Sequence, residues 1–223
     1  MRGNYNERMV RDGLFYGLGM FLLAVIVWKI TGLAGLSAVP IVLGLFFLWF
    51  FRDPPRRIPL EPGLIVSPAD GKVDVAEWIE TEGGSRLRVT IFLNVFNVHV
   101  NRVPVSGTVE LVEFRQGQFL NAMRPDSAVY NEQTLVVVNT GEYKVSFKQV
   151  AGLLARRIIC TLKEGDNVQR GQRMGMIKFG SRMDILMPAE ARLCVKTGQH
   201  VTGGKTALAQ MPVSAAQPGN PTA

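Results

Sequence analysis

Two uncharged apolar runs lie nearly end to end at the start of the chain, "LFYGLGMFLLAVIVW" from Leu14 to Trp28 and "LAGLSAVPIVLGLFFLWFF" from Leu33 to Phe51. They restrict the fold strongly, because neither carries the polar stripe that a helix on the surface of a water-soluble domain needs. At the rise of an α-helix they reach roughly 22 and 28 Å, slightly short of the ~30 Å hydrocarbon thickness, so they either span tightly or dip in and return. A secretory leader is disfavoured, since its apolar core would end in a small-residue cleavage site and here a second apolar run follows. Arg2, Arg8 and Arg11 precede the first run, and Arg52, Arg56 and Arg57 follow the second. The tendency of cationic flanks to stay inside puts both ends on the cytoplasmic face, with the connection from Lys29 to Gly32 facing out or held in the interface. Residues 1–57 are therefore expected to anchor the chain to the cell membrane. The competing reading is a helical hairpin buried in a soluble protein.

"FFRDPPRRIPLEPG" closes the hairpin, and Pro54, Pro55, Pro59 and Pro62 make it a stiff, extended connector in which a helix cannot continue. Beyond it, over residues 58–212, the sequence turns β-like. "LIVSPADGKVDVAEWI", "RLRVTIFLNVFNVHV", "GTVELVEF", "TLVVVNT", "YKVSFKQV" and "RRIICTL" are short runs rich in β-branched residues and punctuated by Gly, Asn, Asp and Pro. Gly117 to Gln133 lacks a clear period and is read as a long loop with one helical turn. Residues 213–223 are small and polar with Pro and Gly, and are expected to be disordered. "EGDNVQRGQ" and "TGQHVTGGK" share G-x-x-V-x-x-G, each reading as one tight strand connection. That pattern resembles the turns of barrel-sandwich hybrids of the biotinyl and lipoyl kind. The expected fold is thus mainly β, barrel-sandwich-hybrid-like, preceded by a hydrophobic helical hairpin.

The formal net charge of +7 suits an anionic partner. The cationic residues are scattered, without an aromatic-studded stripe, which argues against nucleic acid and leaves the anionic face of a bilayer. Cys160 and Cys194 form no C-x-x-C, so neither a disulfide framework nor a zinc site is suggested. With His99 and His200 the only histidines, no metal site is expected.

Five segments in order, "FFRDPPR", "SPADGKV" at 67–73, "FNVHVNRVPVSG" at 96–107, "NEQT" at 131–134 and "FGSRMDILMP" at 179–188, resemble the short, membrane-associated form of the phosphatidylserine decarboxylase proenzymes. By itself the Gly180-Ser181 pair reads as a turn. The resemblance implies instead self-cleavage between Gly180 and Ser181, giving a large and a small chain that stay together as a heterodimer. It implies that Ser181 becomes a pyruvoyl group, the covalent cofactor, whose keto carbon condenses with the amine of phosphatidylserine and takes up electrons as carbon dioxide leaves, giving phosphatidylethanolamine. An assembly larger than the heterodimer is left open, as is an archaeal-type lipid backbone on the serine phospholipid. Glycine before Ser181 suits the close approach that an N-to-O acyl shift needs, and a serine hydroxyl needs a base within reach.

His99 is the leading candidate for that base and for the acid that later protonates the substrate carbon. Strand alternation in "VFNVHVNRV" would put Asn97, His99 and Asn101 on one face, which either lines a site or faces solvent. Asp70, in "PADG", reads as a turn former from its residues alone. In longer members of the family an Asp in this motif, a His and the cleavage-site Ser form a charge relay. Those members have two nearby histidines, and Arg102 stands where the second would be. Arg102, Lys178 and Arg182 are candidates for binding the phosphodiester, and Asn131 and Glu132 for ordering the wall of the site. The alternative class is a non-enzymatic membrane-anchored adaptor; a biotinyl or lipoyl carrier is disfavoured because no exposed-lysine hairpin of the Met-Lys-Met kind is present.

Overall fold

The computed structural model describes residues 4–124, 126–153, 157–178 and 181–212, with side chains from residue 11 onward. The tail at 213–223 and Gly180 lie outside the described residues. The two apolar runs form helices α1 (Asn4–Thr31) and α2 (Ala34–Phe50), joined through Gly32, whose φ of 66° lets the chain reverse. The connection is shorter than the expected Lys29-to-Gly32 segment, because α1 continues through Lys29 to Thr31. Small residues set how closely the helices approach. A Cβ on Gly44 would lie 3.1 Å from the Gly17 carbonyl, and one on Gly13 would lie 2.5 Å from Phe51 Cβ. The outward faces stay apolar: Leu18, Leu22, Val39 and Val42 are each at least 60% exposed. From Arg11 to Thr31, α1 is long and apolar enough to cross a membrane, yet only 17% of its most apolar window is buried. Bare hydrocarbon of this extent counts toward a membrane-associated hairpin over one buried in a soluble protein.

The rest is mainly β, as the strand pattern implies. An eight-stranded antiparallel sheet curls into a half-barrel. In spatial order its strands are β13 (His200–Val201), β2 (Gly71–Thr81), β3 (Gly84–Leu93), β11 (Ser181–Pro188), β7 (Lys144–Val150), β6 (Gln133–Asn139), β5 (Gly107–Arg115) and β9 (Asn167–Val168). Two three-stranded sheets accompany it: β1 (Leu64–Val66), β14 (Ala207–Gln210) and β12 (Arg192–Leu193); and β4 (Val100–Arg102), β10 (Arg173–Ile177) and β8 (Ile158–Cys160). Strand period sends Val89, Ile91 and Leu93 of β3, Met183, Ile185 and Met187 of β11, and Val145 and Phe147 of β7 into one core, all fully or nearly fully buried.

The two G-x-x-V-x-x-G segments occupy equivalent places. Each carries a two-residue strand, β9 or β13, at an opposite edge of the large sheet. Gly165 and Gly171 have φ of 83° and 79°, and Gly198 and Gly204 have 88° and 74°. The hydrogen bonds match as well: Gly165 N–H donates to Val109 O and Gly198 N–H to Val73 O, both at 2.8 Å. Ile58, at the end of the proline connector, wedges between the second glycine of each copy, where a Cβ on Gly171 or Gly204 would come within 2.4 or 2.9 Å of its Cδ1.

The expected loop is closed at its neck, where Gln118 bridges Asn131, and contains the single-turn helix α3 (Ser127–Tyr130). One expectation fails in detail. The strand expected to carry His99 begins only at Val100, one residue past it, and Asn94 to Asn97 form a turn in which the Asn97 side chain accepts the Asn94 N–H at 2.9 Å. Asn97 therefore shares no strand face with His99.

Candidate active site

Strand β11 opens with Ser181, which is fully buried between Leu93 of β3 on one side and the end of β7 on the other. Its Oγ has no hydrogen-bond partner among the described residues. Leaving a buried hydroxyl unpaired costs about 1–3 kcal/mol, so such an atom calls for an explanation. Eight buried side-chain N or O atoms are unpartnered among the described residues; Ser181 Oγ is one, and three more belong to residues tied to its strand or to one another by register, hydrogen bond or sequence: Gln149 Oε1, Asn101 Nδ2 and His99 Nε2.

His99 lies just ahead of β4, fully buried, with its ring against Phe50 of α2 at a centroid separation of 4.3 Å. Its Nδ1 is 2.9 Å from Asn97 O; a carbonyl only accepts, so Nδ1 carries the proton and Nε2 presents a lone pair. Burial holds the ring down to about 4 against an ordinary 6.5, opposed by the Asn97 hydrogen bond and assisted by the charge of Arg52. At neutral pH His99 is an uncharged proton acceptor. The end of the hairpin forms its wall, as Phe50, Phe51, Val98, Val100 and Met176 make a separate apolar cluster.

Gln149 enters from β7. The register sets it opposite Met183, so it shares a sheet face with Met183 and, two residues along, Ser181. Its Nε2 donates to Asn101 Oδ1 at 2.8 Å and to Ile159 O at 3.3 Å. Gln149 is legible in "YKVSFKQV", where alternation after Val145 and Phe147 puts a polar residue at the next inward position.

The other sequence candidates are held elsewhere. Asp70 accepts two hydrogen bonds from Arg56 Nη2, at 3.1 and 2.9 Å, and one from Gly203 N–H at 2.8 Å. Since the Nδ1 proton of His99 goes to Asn97, the expected Asp70–His99 link is not made; the "PADG" bend turns the carboxylate toward the connector. Arg102 donates to Asp53 Oδ1 at 2.6 Å and to Gly171 O at 3.0 Å, and Arg173 also pairs with Asp53, so this arginine pins the connector to the β domain. Arg182 forms a buried bidentate pair with Asp184, at 2.6 and 2.9 Å. Alternation sends that pair to the sheet face opposite Ser181, where a cavity of about 310 Å³ is lined by Arg88, Arg115, Lys148, Arg182 and Asp184.

Lys178, three residues before Ser181, reaches the hairpin: its Nζ is 2.9 Å from Asp12 Oδ2 and 5.3 and 5.8 Å from the ring centroids of Phe51 and Tyr16. Asn131 is a staple for the long loop, accepting from Leu120 N–H and donating to Leu120 O and Ala151 O at 2.7–2.9 Å. Glu132 bridges the same neck through its backbone, to Gln118 and Ala151. Among the described residues no group of three or more His, Cys, Asp or Glu could hold a metal ion.

A buried hydroxyl, an uncharged imidazole with a free lone pair and a free amide donor suit attack on a peptide carbonyl more than ligand storage. They also fit a pyruvoyl group made from Ser181, because such an α-keto amide needs buried hydrogen-bonding partners that no other side chain among the described residues has taken. The family model for phosphatidylserine decarboxylase matches residues 43–209. A phosphatidylserine decarboxylase proenzyme of Solibacter usitatus is 48% identical over 204 residues, covering 91% of this chain and 97% of the relative. Relatives of the same name from Chlorobium chlorochromatii and Cupriavidus pinatubonensis are 48% identical over 75% of this chain and 80% of the relative, and 42% identical over 93% and 98%.

Proposed function

The chain belongs to the phosphatidylserine decarboxylase family, and on that premise we propose that the buried site around Ser181 and His99 is where it both matures and reacts. It is a self-processing enzyme that decarboxylates phosphatidylserine to phosphatidylethanolamine in phospholipid biosynthesis. The observation that carries the site assignment is the unpartnered, fully buried Ser181 hydroxyl at the head of a central strand.

In maturation, Ser181 Oγ adds to the carbonyl bonded to its own nitrogen while His99 Nε2 takes the hydroxyl proton. The C–N bond then breaks, the nitrogen leaves as an amine, and an ester joins the two segments. Loss of the Ser181 α-proton with cleavage of the Cβ–O bond frees the carboxylate of Gly180. Hydrolysis of the resulting enamine, with release of ammonia, leaves the pyruvoyl group. When formed, that group supplies a keto carbon able to condense with the substrate amine and accept the electrons set free as carbon dioxide departs. His99 excludes water together with Phe50, and its Nε2, uncharged at rest, takes up a proton during turnover and passes it to the substrate α-carbon. Lys178, beside the hairpin, exchanges Asp12 for the lipid phosphodiester. Residues 1–57 hold the enzyme in the membrane with the β domain on the cytoplasmic side.

Intact-mass measurement of the purified protein tests this reading. Two chains are expected, residues 1–180 and 181–223, the second beginning with pyruvoyl, and Ser181→Ala should remain one inactive chain. An active protein recovered as a single full-length chain would overturn it.

A further inference from the structure

The side-chain amides of Asn101 and Gln149 form a built unit whose free ends, Asn101 Nδ2 and Gln149 Oε1, have no partner among the described residues. Ile159 O can only accept, so the end of Gln149 beside it is the NH₂ group, and the same nitrogen faces Asn101. Asn101 must then turn its oxygen toward Gln149. Its own NH₂ is left fully buried without a partner among the described residues. The orientation of one amide dictates the other, and the consequence is a fixed, fully buried hydrogen-bond donor. Its placement is set by two independent constraints. Gln149 shares a sheet face with Ser181 through the β7–β11 register, and Asn101 lies two residues from His99.

We propose that Asn101 Nδ2 is the oxyanion donor for self-cleavage, with Gln149 as the positioning residue that aims it. This rests on the self-processing assigned above. When Ser181 Oγ bonds to the carbonyl carbon attached to its nitrogen, the hydroxyl proton passes to His99 Nε2 and the carbonyl π-electrons move onto oxygen. The resulting negative charge needs a donor already in place, since a buried site offers no water to reorganise. Asn101 Nδ2 meets that need, and the charge returns to the carbonyl as the C–N bond breaks and the nitrogen takes up a proton. The unpaired amide of the precursor is thus a partner held ready for an atom that becomes strongly basic only in the transition state.

The test follows the full-length chain made by cell-free translation onto phosphatidylglycerol-containing vesicles, with and without hydroxylamine, which cuts the ester but not the amide. Wild-type chain should separate into 1–180 and 181–223, and hydroxylamine should hasten the separation; failure of wild type to split would refute self-processing itself. Asn101→Leu keeps the volume and removes the donor, and Asn101→Ser keeps polarity but withdraws the donor from reach. Both should slow separation about 10²- to 10³-fold, the typical loss for one oxyanion donor, with no rescue by hydroxylamine because the ester is not formed. Gln149→Glu, which cannot donate to Asn101 when ionised, should give the same hydroxylamine-insensitive delay from a different strand. A packing role would instead lower the melting temperature and leave the hydroxylamine response of the folded fraction unchanged. Wild-type separation rates in folded Asn101→Leu or Asn101→Ser chains, or accumulation of a hydroxylamine-labile ester, would overturn the assignment.

Discussion

His99 is poised by what surrounds it. Desolvation by Phe50 and the β4 region disfavours the imidazolium, and Arg52, whose guanidinium stacks on Trp49 at 3.8 Å, adds like-charge repulsion. Because the folded value of about 4 lies below the ordinary 6.5, the unfolded chain binds the extra proton between those two pH values. The stabilisation is therefore complete above pH 6.5, declines as pH falls toward 4, and changes no further below that. Its full extent is about 3 kcal/mol. With His99 as the proposed base, self-cleavage should hold its rate down to about pH 5 and fall off toward 4. Phe50→Ala admits water to the ring, so the same descending limb should move up toward pH 6.5. A pH–rate series on both chains checks this, and an unmoved limb would dissociate Phe50 from the tuning of His99.

At the scale of elements, the paired turns divide two effects that usually arrive together. Gly165 has a left-handed φ with open space where a Cβ would stand, whereas Gly171 has the same backbone and Ile58 Cδ1 only 2.4 Å from that point. Gly165→Ala should cost about 1 kcal/mol from backbone strain alone. Gly171→Ala adds displacement of Ile58 and should cost about 2–3 kcal/mol, read by denaturant unfolding. Both turns are legible in the chain because glycine spacing is a local signal, and the hairpin is legible because the absence of a polar face is one too. Ser181 and His99 stand out through the motifs around them. Asp53 with Arg102, 49 residues apart, and Asp70 with Arg56 are not legible as pairs. Their union depends on the connector folding back across the β domain, and no spacing rule carries that. Asn97 departs from the alternation for the opposite reason, since a side-chain bond within four residues outcompetes the strand.

At the scale of the whole molecule, the hairpin and the site are one object. Phe50 forms the wall against His99, and Asp12 and the rings of Tyr16 and Phe51 surround Lys178, three residues ahead of Ser181. The anchor is thus expected to serve two ends that can be separated. Deleting residues 1–57 should release the β domain from vesicles, because the apolar face that holds it is gone, and should also slow maturation, because His99 becomes solvated and Lys178 loses its partner. Fusing an unrelated transmembrane helix to residue 52 should restore flotation with vesicles but not the maturation rate, since it brings back hydrocarbon without Phe50 or Asp12. Full recovery of both by the unrelated helix would reduce the hairpin to a tether. Unchanged vesicle flotation of the deletion, or digestion of the β domain by protease added outside intact cells, would remove the membrane anchor and its cytoplasmic orientation respectively.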